Sequence, residues 1–324
     1  MTRSVLAKIV SARLVPAALT AAILLAVFRR IPLGRLLAAV EQADHGLFLA
    51  AMIPNTLFYV CWDTLVLTTA VRWFHGPVRY GELLPARAAS YVVAFFNTNA
   101  GRGVLAAFLS RRLGLPFLQL GSTVLFLVLS EYLHLVAWAT IGILQVTSDV
   151  PPELLWVPPG VAVLWLTVFA YFRLGATPRG ARWLSAPREW SLLRTFRLAP
   201  AHRYGQVVLL RAPMFFVSLC LHAVAARAFG LDIPFTHLVA FLPVIFMIAA
   251  LPITVARLGT TQAAWLFFFA PYAEAPRLLA FSLAAHLTFV ATRSLVGLAF
   301  LPRAYRDLVR PADRATRIPE RAPA

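Results

Sequence analysis

The sequence predicts an all-α fold, a polytopic membrane helix bundle, on three observations. Apolar residues make up 60% of the 324 residues, and charged residues make up only 13%. The mean hydropathy is +0.76, whereas a soluble chain carries about a quarter charged residues. The apolar residues are gathered in long runs, several of which reach the roughly 20 residues that a bilayer span requires.

Six apolar runs predict full spans, because a helix satisfies its own backbone hydrogen bonds in lipid. They are Leu14–Phe28, Gly46–Val71, Leu118–Leu144, Leu154–Phe172, Gln206–Phe229 and Leu278–Leu301. The first run follows basic residues and lacks a cleavage site, so we interpret it as a retained span. Two further apolar regions, Leu83–Ser110 and His237–Ala270, are interrupted in their middle and predict two broken re-entrant hairpins.

The distribution of arginine predicts the orientation. The segment Arg173–Gly205 contains seven arginines and one acidic residue, and the tail after Pro302 contains six arginines. The loops Gln145–Glu153 and Gly230–Thr236 contain acidic residues and no arginine. Because basic loops stay on the cytoplasmic side, we expect a multi-pass protein of the cell (inner) membrane with both termini in the cytoplasm.

The order of the elements predicts an inverted-topology repeat within a single membrane domain, 1–324. Each half contains two spans, a broken hairpin and a final span, and the two halves start on opposite sides of the membrane. The first repeat is 1–150, the second is 151–303, and 304–324 is a basic cytoplasmic tail. Broken helices at corresponding places in two halves are typical of transporter binding sites. Ordinary helix pairs joined by tight loops are the alternative.

The two hairpin tips contain the candidate residues for binding a lipid headgroup. An arginine fork suits a phosphate, and glycine lets a ligand approach the backbone closely. A threonine hydroxyl could cap a helix that restarts after the second tip. The candidates are Asn97, Asn99, Gly101, Arg102, Arg257, Gly259, Thr260 and Gln262. The alternative is a surface turn with an arginine at headgroup level.

Ionisable residues inside the apolar runs are the second group of candidates. Each costs roughly 2.5–3.5 kcal/mol at the bilayer centre, so together they predict a polar interior. They are Asp63, Glu131, His134, Arg211, His222, His286 and Arg293. The alternative for any one of them is a structural ion pair that fixes helix packing, for example Asp63 with Arg211.

The remaining features exclude several classes of function. The net charge is +17, but the basic residues lie between apolar runs and form no soluble basic face, so nucleic acid is not an expected partner. Cys61 and Cys220 lie inside apolar runs and match no metal-binding or disulfide spacing. Motifs of hydrolases, zinc proteases and nucleotide-binding proteins are absent from the sequence. We therefore expect no cofactor and no metal.

The two tips resemble those of the flippase-like membrane family that includes the transmembrane region of lysylphosphatidylglycerol synthase. The matching residues are Asn97, Gly101 and Arg102 at the first tip, and Leu251, Pro252, Ile253, Leu258 and Gly259 at the second. The sequence departs from the family pattern at Ala100, Val104, Arg257 and Gln262, and at Tyr132 after Glu131. The resemblance implies lipid translocation, or assistance to a lipid-modifying pathway, rather than aminoacyl transfer.

The expected function is therefore translocation or carriage of an anionic or polyprenyl-phosphate-linked lipid, with Arg102 and Arg257 binding the headgroup. Two alternatives stay open. One is an integral membrane enzyme that uses Glu131 or Asp63 as a base to transfer a group to a lipid. The other is a non-catalytic membrane subunit that works with a lipid- or glycan-modifying enzyme.

The predicted topology can be tested by cysteine accessibility. In a chain without its two native cysteines, Ser148→Cys should be labelled from outside the cell and Ser185→Cys only after the membrane is opened. The reason is the arginine distribution, which holds the second position in the cytoplasm. Labelling of both positions from the same side would contradict the topology and the inverted repeat.

Overall fold

A computed structural model of the chain describes residues 25, 29, 31–146, 152–173, 189–250 and 259–309. In these residues every regular element is helical. The α-helices are α1 (Leu33–Glu41), α2 (His45–His75), α3 (Tyr80–Phe96), α4 (Thr98–Leu113), α5 (Phe117–Ile143), α6 (Val157–Arg173), α7 (Arg194–Leu198), α8 (Ala201–Arg227), α9 (Phe235–Ala250), α10 (Thr260–Phe269) and α11 (Ala275–Val309). Short 3₁₀ helices, Pro152–Trp156 and Ser191–Leu193, precede α6 and α7.

Five helical segments in the described part of the chain are long and apolar enough to cross a membrane. They are His45–His75, Phe117–Ile143, Pro152–Phe172, Ala201–Arg227 and Ala275–Asp307. Each contains or overlaps one of the predicted runs, so the prediction of a multi-pass, all-helical membrane protein is confirmed. The first predicted run, Leu14–Phe28, lies outside the described residues apart from Leu25.

The first broken hairpin consists of α3 and α4, which are separated by one non-helical residue. Asn97 has extended backbone angles, φ −154° and ψ 114°, and its side-chain oxygen accepts a hydrogen bond from the Ala100 N–H at 2.9 Å. This cap lets α4 begin at once, so the break is narrower than the polar stretch suggested, and Gly101 and Arg102 are helical. A Cβ on Gly101 would lie 2.8 Å from the Ser90 oxygen. Gly101 therefore permits close packing of α4 on α3.

The second broken hairpin is described on both sides of its tip. Helix α9 ends at Ala250 and α10 begins at Thr260, while residues 251–258, including Arg257, lie outside the described residues. Gly259 precedes α10 with φ 91°, a conformation that favours glycine. Its N–H donates to Gln262 Oε1 at 2.7 Å. The Gln262 side-chain amide thus forms part of the cap of α10, and a cap by a threonine hydroxyl stays a prediction.

The chain forms two compact units. Unit 1 comprises Met1–Asn55, Leu135–Leu155 and Phe216–Phe289, and unit 2 comprises Thr56–His134, Trp156–Phe215 and Val290–Ala324. Each unit takes segments from both predicted repeats, and the repeat boundaries at 150 and 303 stay a prediction. The tip of the first hairpin belongs to unit 2, and the described ends of the second hairpin belong to unit 1.

Unit 1 has an aromatic core. The ring of Phe281 lies 5.7 Å from that of Phe229 and 4.9 Å from that of Trp265, both in edge-to-face geometry, which is favourable for aromatic pairs. Within the same unit, α5 and α9 touch backbone to backbone, since a Cβ on Gly142 would collide with the backbone of Ala240. Close approach of this kind is typical of helices that associate in lipid.

Unit 2 packs around Phe126, which is fully buried. Its ring lies 5.6 Å from Phe74, 5.5 Å from Phe196 and 5.1 Å from Tyr204. A second close approach joins α11 to α3, because a Cβ on Gly297 would lie 2.6 Å from the Ala88 oxygen. A backbone oxygen cannot move aside without shifting its helix, so Gly297 fixes the distance between α3 and α11.

This contact predicts that Gly297→Ala destabilises unit 2. The added methyl group should force α11 away from α3, at a cost of about 1–3 kcal/mol, which a thermal melt of the purified protein in detergent would measure. Gly205→Ala in α8 is the matched control, because nothing lies within 4 Å of its Cβ position. The control should melt at or above the parent temperature, since alanine suits a helix interior better than glycine. Identical melting of the two variants would contradict the close approach.

Candidate functional site

Four of the predicted intramembrane residues lie in unit 2 near the middle of long helices. The midpoints of α2, α5, α8 and α11 are residues 60, 130, 214 and 292, so Asp63, Glu131, Arg211 and Arg293 lie one to three residues from them. A residue at the midpoint of a spanning helix lies near the bilayer centre, where water cannot stabilise its charge. These residues must therefore be stabilised by one another.

Asp63 is the buried centre of this group, with 4% of its surface exposed. Its Oδ2 accepts hydrogen bonds from Arg87 Nε at 2.5 Å and from the Tyr91 hydroxyl at 2.6 Å. Both donors lie on α3, one helical turn apart, so they reach the same carboxylate from one face. A buried carboxylate with two donors, one of them charged, is well stabilised.

Arg211 approaches the other carboxylate oxygen less closely. Its Nη1 lies 4.0 Å from Asp63 Oδ1, and its Nη2 donates to the Leu127 carbonyl oxygen at 3.1 Å. This side chain is buried, with 2% of the residue exposed. Nevertheless, its Nε and Nη1 have no hydrogen-bond acceptor among the described residues. The suggested pair of Asp63 with Arg211 therefore exists, but Arg87 is the closer partner.

Tyr91 connects a third arginine to the group. The Arg293 Cζ lies 4.7 Å from the centre of the Tyr91 ring, and the Arg87 Cζ lies 4.8 Å from it. Such cation–π contacts gain strength where water is excluded. We call Asp63, Arg87, Tyr91, Glu131, Arg211 and Arg293 the charged cluster. Glu131 is included because it lies on α5 one helical turn after Leu127, whose carbonyl oxygen accepts a hydrogen bond from Arg211.

Of the three histidines among the predicted intramembrane residues, only His134 belongs to the same unit as the charged cluster. His134 is a buried residue of unit 2, with its ring 5.6 Å from Phe215, and Arg211 acts on it electrostatically. His222 and His286 belong to unit 1. The Nδ1 of His222 lies 2.7 Å from the Ser218 oxygen on the same helix. That contact is a satisfied structural hydrogen bond.

The described residues of the two predicted tips are divided between the two units. Arg102 is partly exposed, and its Nη1 donates to Asn99 Oδ1 at 3.2 Å on the surface of unit 2. In unit 1, Gln262 is fully buried, and its Nε2 has no acceptor among the described residues. Headgroup binding by the tip residues stays a prediction.

The sequence reasoning missed Arg87 and Tyr91. Both lie on α3, the first arm of the broken hairpin, outside its polar tip. The available signal was an arginine inside an apolar helix, four residues before a tyrosine. That spacing puts the two side chains on one helix face, where both can serve one buried acid.

The charged cluster consists of paired acids and arginines. The described residues contain no group of three His, Cys, Asp or Glu side chains that could hold a metal ion. Asp63 Oδ2 already accepts two hydrogen bonds, which makes it an anchor for arginine rather than a free base. The three arginines and two carboxylates of the cluster leave a formal charge of +1.

Comparison with known proteins gives one family. The family model described as "Lysylphosphatidylglycerol synthase TM region" matches residues 9–297 of the chain. No curated protein matches the chain. The family match covers all residues of the charged cluster and both hairpin tips.

The cluster geometry predicts that Asp63→Ala is strongly destabilising. Removing one partner of a buried ion pair costs about 3–5 kcal/mol, because the other charge is left without compensation. Glu82→Ala is the matched control, since its carboxylate lies 3.9 Å from Arg112 in a pair whose side chains are 33% and 30% exposed. An exposed pair is worth at most about 1 kcal/mol. Unfolding of the two purified variants in detergent would test this, and equal stability losses would contradict the anchoring role of Asp63.

Proposed function

Because the chain belongs to the family of the lysylphosphatidylglycerol synthase transmembrane region, and is thus a membrane protein of lipid pathways, we propose that it translocates an anionic lipid headgroup across the membrane. The charged cluster is the observation that carries this proposal. It places three arginines close to the middle of, or beside, spanning helices, where an anionic headgroup meets its highest barrier.

The physical argument concerns the cost of moving a phosphate through hydrocarbon. An ion that leaves water for a medium of low dielectric constant loses several kcal/mol or more of hydration energy. Charge-assisted hydrogen bonds from arginine replace part of that hydration. The cluster has a surplus of positive charge near the helix midpoints. It can therefore lower the barrier for an anion while leaving the barrier for a cation high.

The hairpin tips are the proposed places where a headgroup is first bound. At the first tip, Asn97 caps α4 and Arg102 lies in its opening turns. A helix N-terminus with an adjacent arginine favours an anion. The proposed contacts are Asn97, Asn99, Gly101 and Arg102 in unit 2, and Arg257, Gly259, Thr260 and Gln262 in unit 1.

The finer features of the sequence prediction belong to this proposal. They are the inverted repeat with two re-entrant hairpins, the cytoplasmic termini and the location in the cell membrane. The lipid is proposed to be a phospholipid or a polyprenyl-phosphate-linked lipid, delivered to or received from a lipid- or glycan-modifying enzyme. The apolar helices and the family membership support these features as a group.

Translocation can be measured on the purified protein in vesicles that contain fluorescent phosphatidylglycerol. Dithionite quenches only the outer leaflet, so protein-containing vesicles should lose clearly more than half of their fluorescence. Arg102→Lys should slow this loss by roughly tenfold or more, because lysine lacks the planar fork that binds phosphate. Arg111→Lys on the same helix is the matched control and should behave like the parent.

Two outcomes would contradict the proposal. If the parent protein quenches no more lipid than protein-free vesicles do, translocation is excluded. If Arg102→Lys and Arg111→Lys are equally active, the first tip does not bind the headgroup. In the second case the charged cluster would remain as the proposed site.

A further inference from the structure

Trp62 connects α2 to α8 beside the ion pair of Asp63. Its indole Nε1 donates a hydrogen bond to the Leu210 carbonyl oxygen at 2.7 Å. Trp62 directly precedes Asp63 on α2, and Leu210 directly precedes Arg211 on α8. Two adjacent residues of one helix therefore approach two adjacent residues of the other, and the hydrogen bond lies next to the 4.0 Å separation between Asp63 and Arg211.

Pro213 explains why the Leu210 carbonyl oxygen suits this hydrogen bond. A proline inside a helix has no N–H for the carbonyl four residues earlier, and its ring bends the helix at that turn. Pro213 lies inside α8, so the turn that contains Leu210 lacks one of the hydrogen bonds of a regular helix. A donor from a neighbouring helix stabilises such a turn in lipid, where water cannot do so.

The position of the indole ring is itself restricted. Phe58, one helical turn earlier on α2, stacks on the Trp62 ring with 5.4 Å between the ring centroids and 19° between the ring planes. A rigid ring held in this way fixes the distance between the backbones of α2 and α8. The fixed distance accounts for the position of Arg211, whose Nη1 stays 4.0 Å from Asp63 Oδ1, whereas a charged hydrogen bond would bring the two atoms to about 2.8 Å.

We infer that Trp62 is a positioning residue that acts through Arg211. Its hydrogen bond to Leu210 holds α8 at the distance at which the Arg211 guanidinium group does not close on Asp63. This inference rests on the proposed function and adds a residue to it. Without the hydrogen bond, α8 can shift and Arg211 can pair tightly with Asp63. A guanidinium group in a tight pair offers fewer donors to the translocated lipid, so translocation should slow.

The first test measures translocation by the purified full-length protein in vesicles that contain fluorescent phosphatidylglycerol, by dithionite quenching. Trp62→Phe keeps an aromatic ring but loses the N–H donor. It should slow translocation by about fivefold or more, which is the rate equivalent of one hydrogen bond. Trp165→Phe on α6 is the matched control, because the described contact of that ring is with Tyr204. The control should translocate like the parent.

A double variant separates a positioning role from a purely structural one. Arg211→Lys alone should slow translocation by about tenfold or more, because lysine lacks the planar fork. If Trp62 acts through Arg211, adding Trp62→Phe to this variant should cause no further loss. If the two residues act independently, the losses should multiply to about fiftyfold, and the positioning role would be overturned.

A second measurement detects the hydrogen bond without reference to translocation. Hydrogen exchange of the α8 amides around Leu210, measured on the protein in detergent, should be about fivefold faster or more in Trp62→Phe and unchanged in Trp165→Phe. Pro213→Ala tests the same hydrogen bond from the acceptor side. It restores the missing N–H and draws the Leu210 carbonyl back into the helix. It should therefore slow translocation, although it should melt at or above the parent temperature.

The possible outcomes separate this inference from the proposed function. Absence of translocation by the parent would overturn the proposed function and, with it, the role of Trp62 in translocation. Translocation at the parent rate by Trp62→Phe would overturn the positioning role alone. Unchanged hydrogen exchange in Trp62→Phe would also overturn it, since the hydrogen bond would then not hold α8. Should Trp62→Phe not fold, Pro213→Ala decides, and its translocation at the parent rate would overturn the inference.

Discussion

A carboxylate buried at the depth of the hydrocarbon core must be paired, and this constraint organises unit 2 around Asp63. The acid lies on α2, its two closest donors lie on α3, and Arg211 reaches it from α8. Arg293 on α11 joins the group through the ring of Tyr91. Electrostatic contacts of Asp63 and Tyr91 thus connect four helices. Displacing one helix would leave a charge without a partner in a medium that cannot hydrate it.

Close packing complements these contacts, because apolar side chains give little driving force for association between helices in lipid. Gly297 lies one helical turn after Arg293 on α11, and it touches the backbone of Ala88, the residue that follows Arg87. The glycine contact therefore sets the distance at which Arg293 meets Tyr91. Packing and charge act on the same pair of helices, so a methyl group at Gly297 would alter the charged cluster without changing any charge.

The sequence predicts which segments can cross the membrane, but it does not predict which charged side chains pair inside it. Five of the predicted apolar runs coincide with helices long and apolar enough to cross a membrane. Run length and hydropathy can both be read from the sequence. Asp63 with Arg211 was foreseen as an ion pair, but the hydrogen-bonded partner is Arg87, and only the folded arrangement of α2 against α3 reveals it. The polar stretch correctly indicates a helix break at Asn97, but the break is only one residue long. The Asn97 side chain caps α4, so the helix restarts at the next residue. Arg257 lies outside the described residues, so its contribution to the second tip stays a prediction.

Arg211 differs from Arg87 in how many of its hydrogen-bond donors the protein uses. A purely structural arginine is expected to use its donors on the protein, as Arg87 does with Asp63. Arg211 instead stays 4.0 Å from the carboxylate and has buried donors without a described acceptor. A tighter pair with Asp63 would leave fewer of these donors without an acceptor. For the proposed translocation this matters, because a transport site must bind its ligand weakly enough to release it. Asp63 would compete with a ligand for the guanidinium group of Arg211, which lies 4.0 Å from its Oδ1.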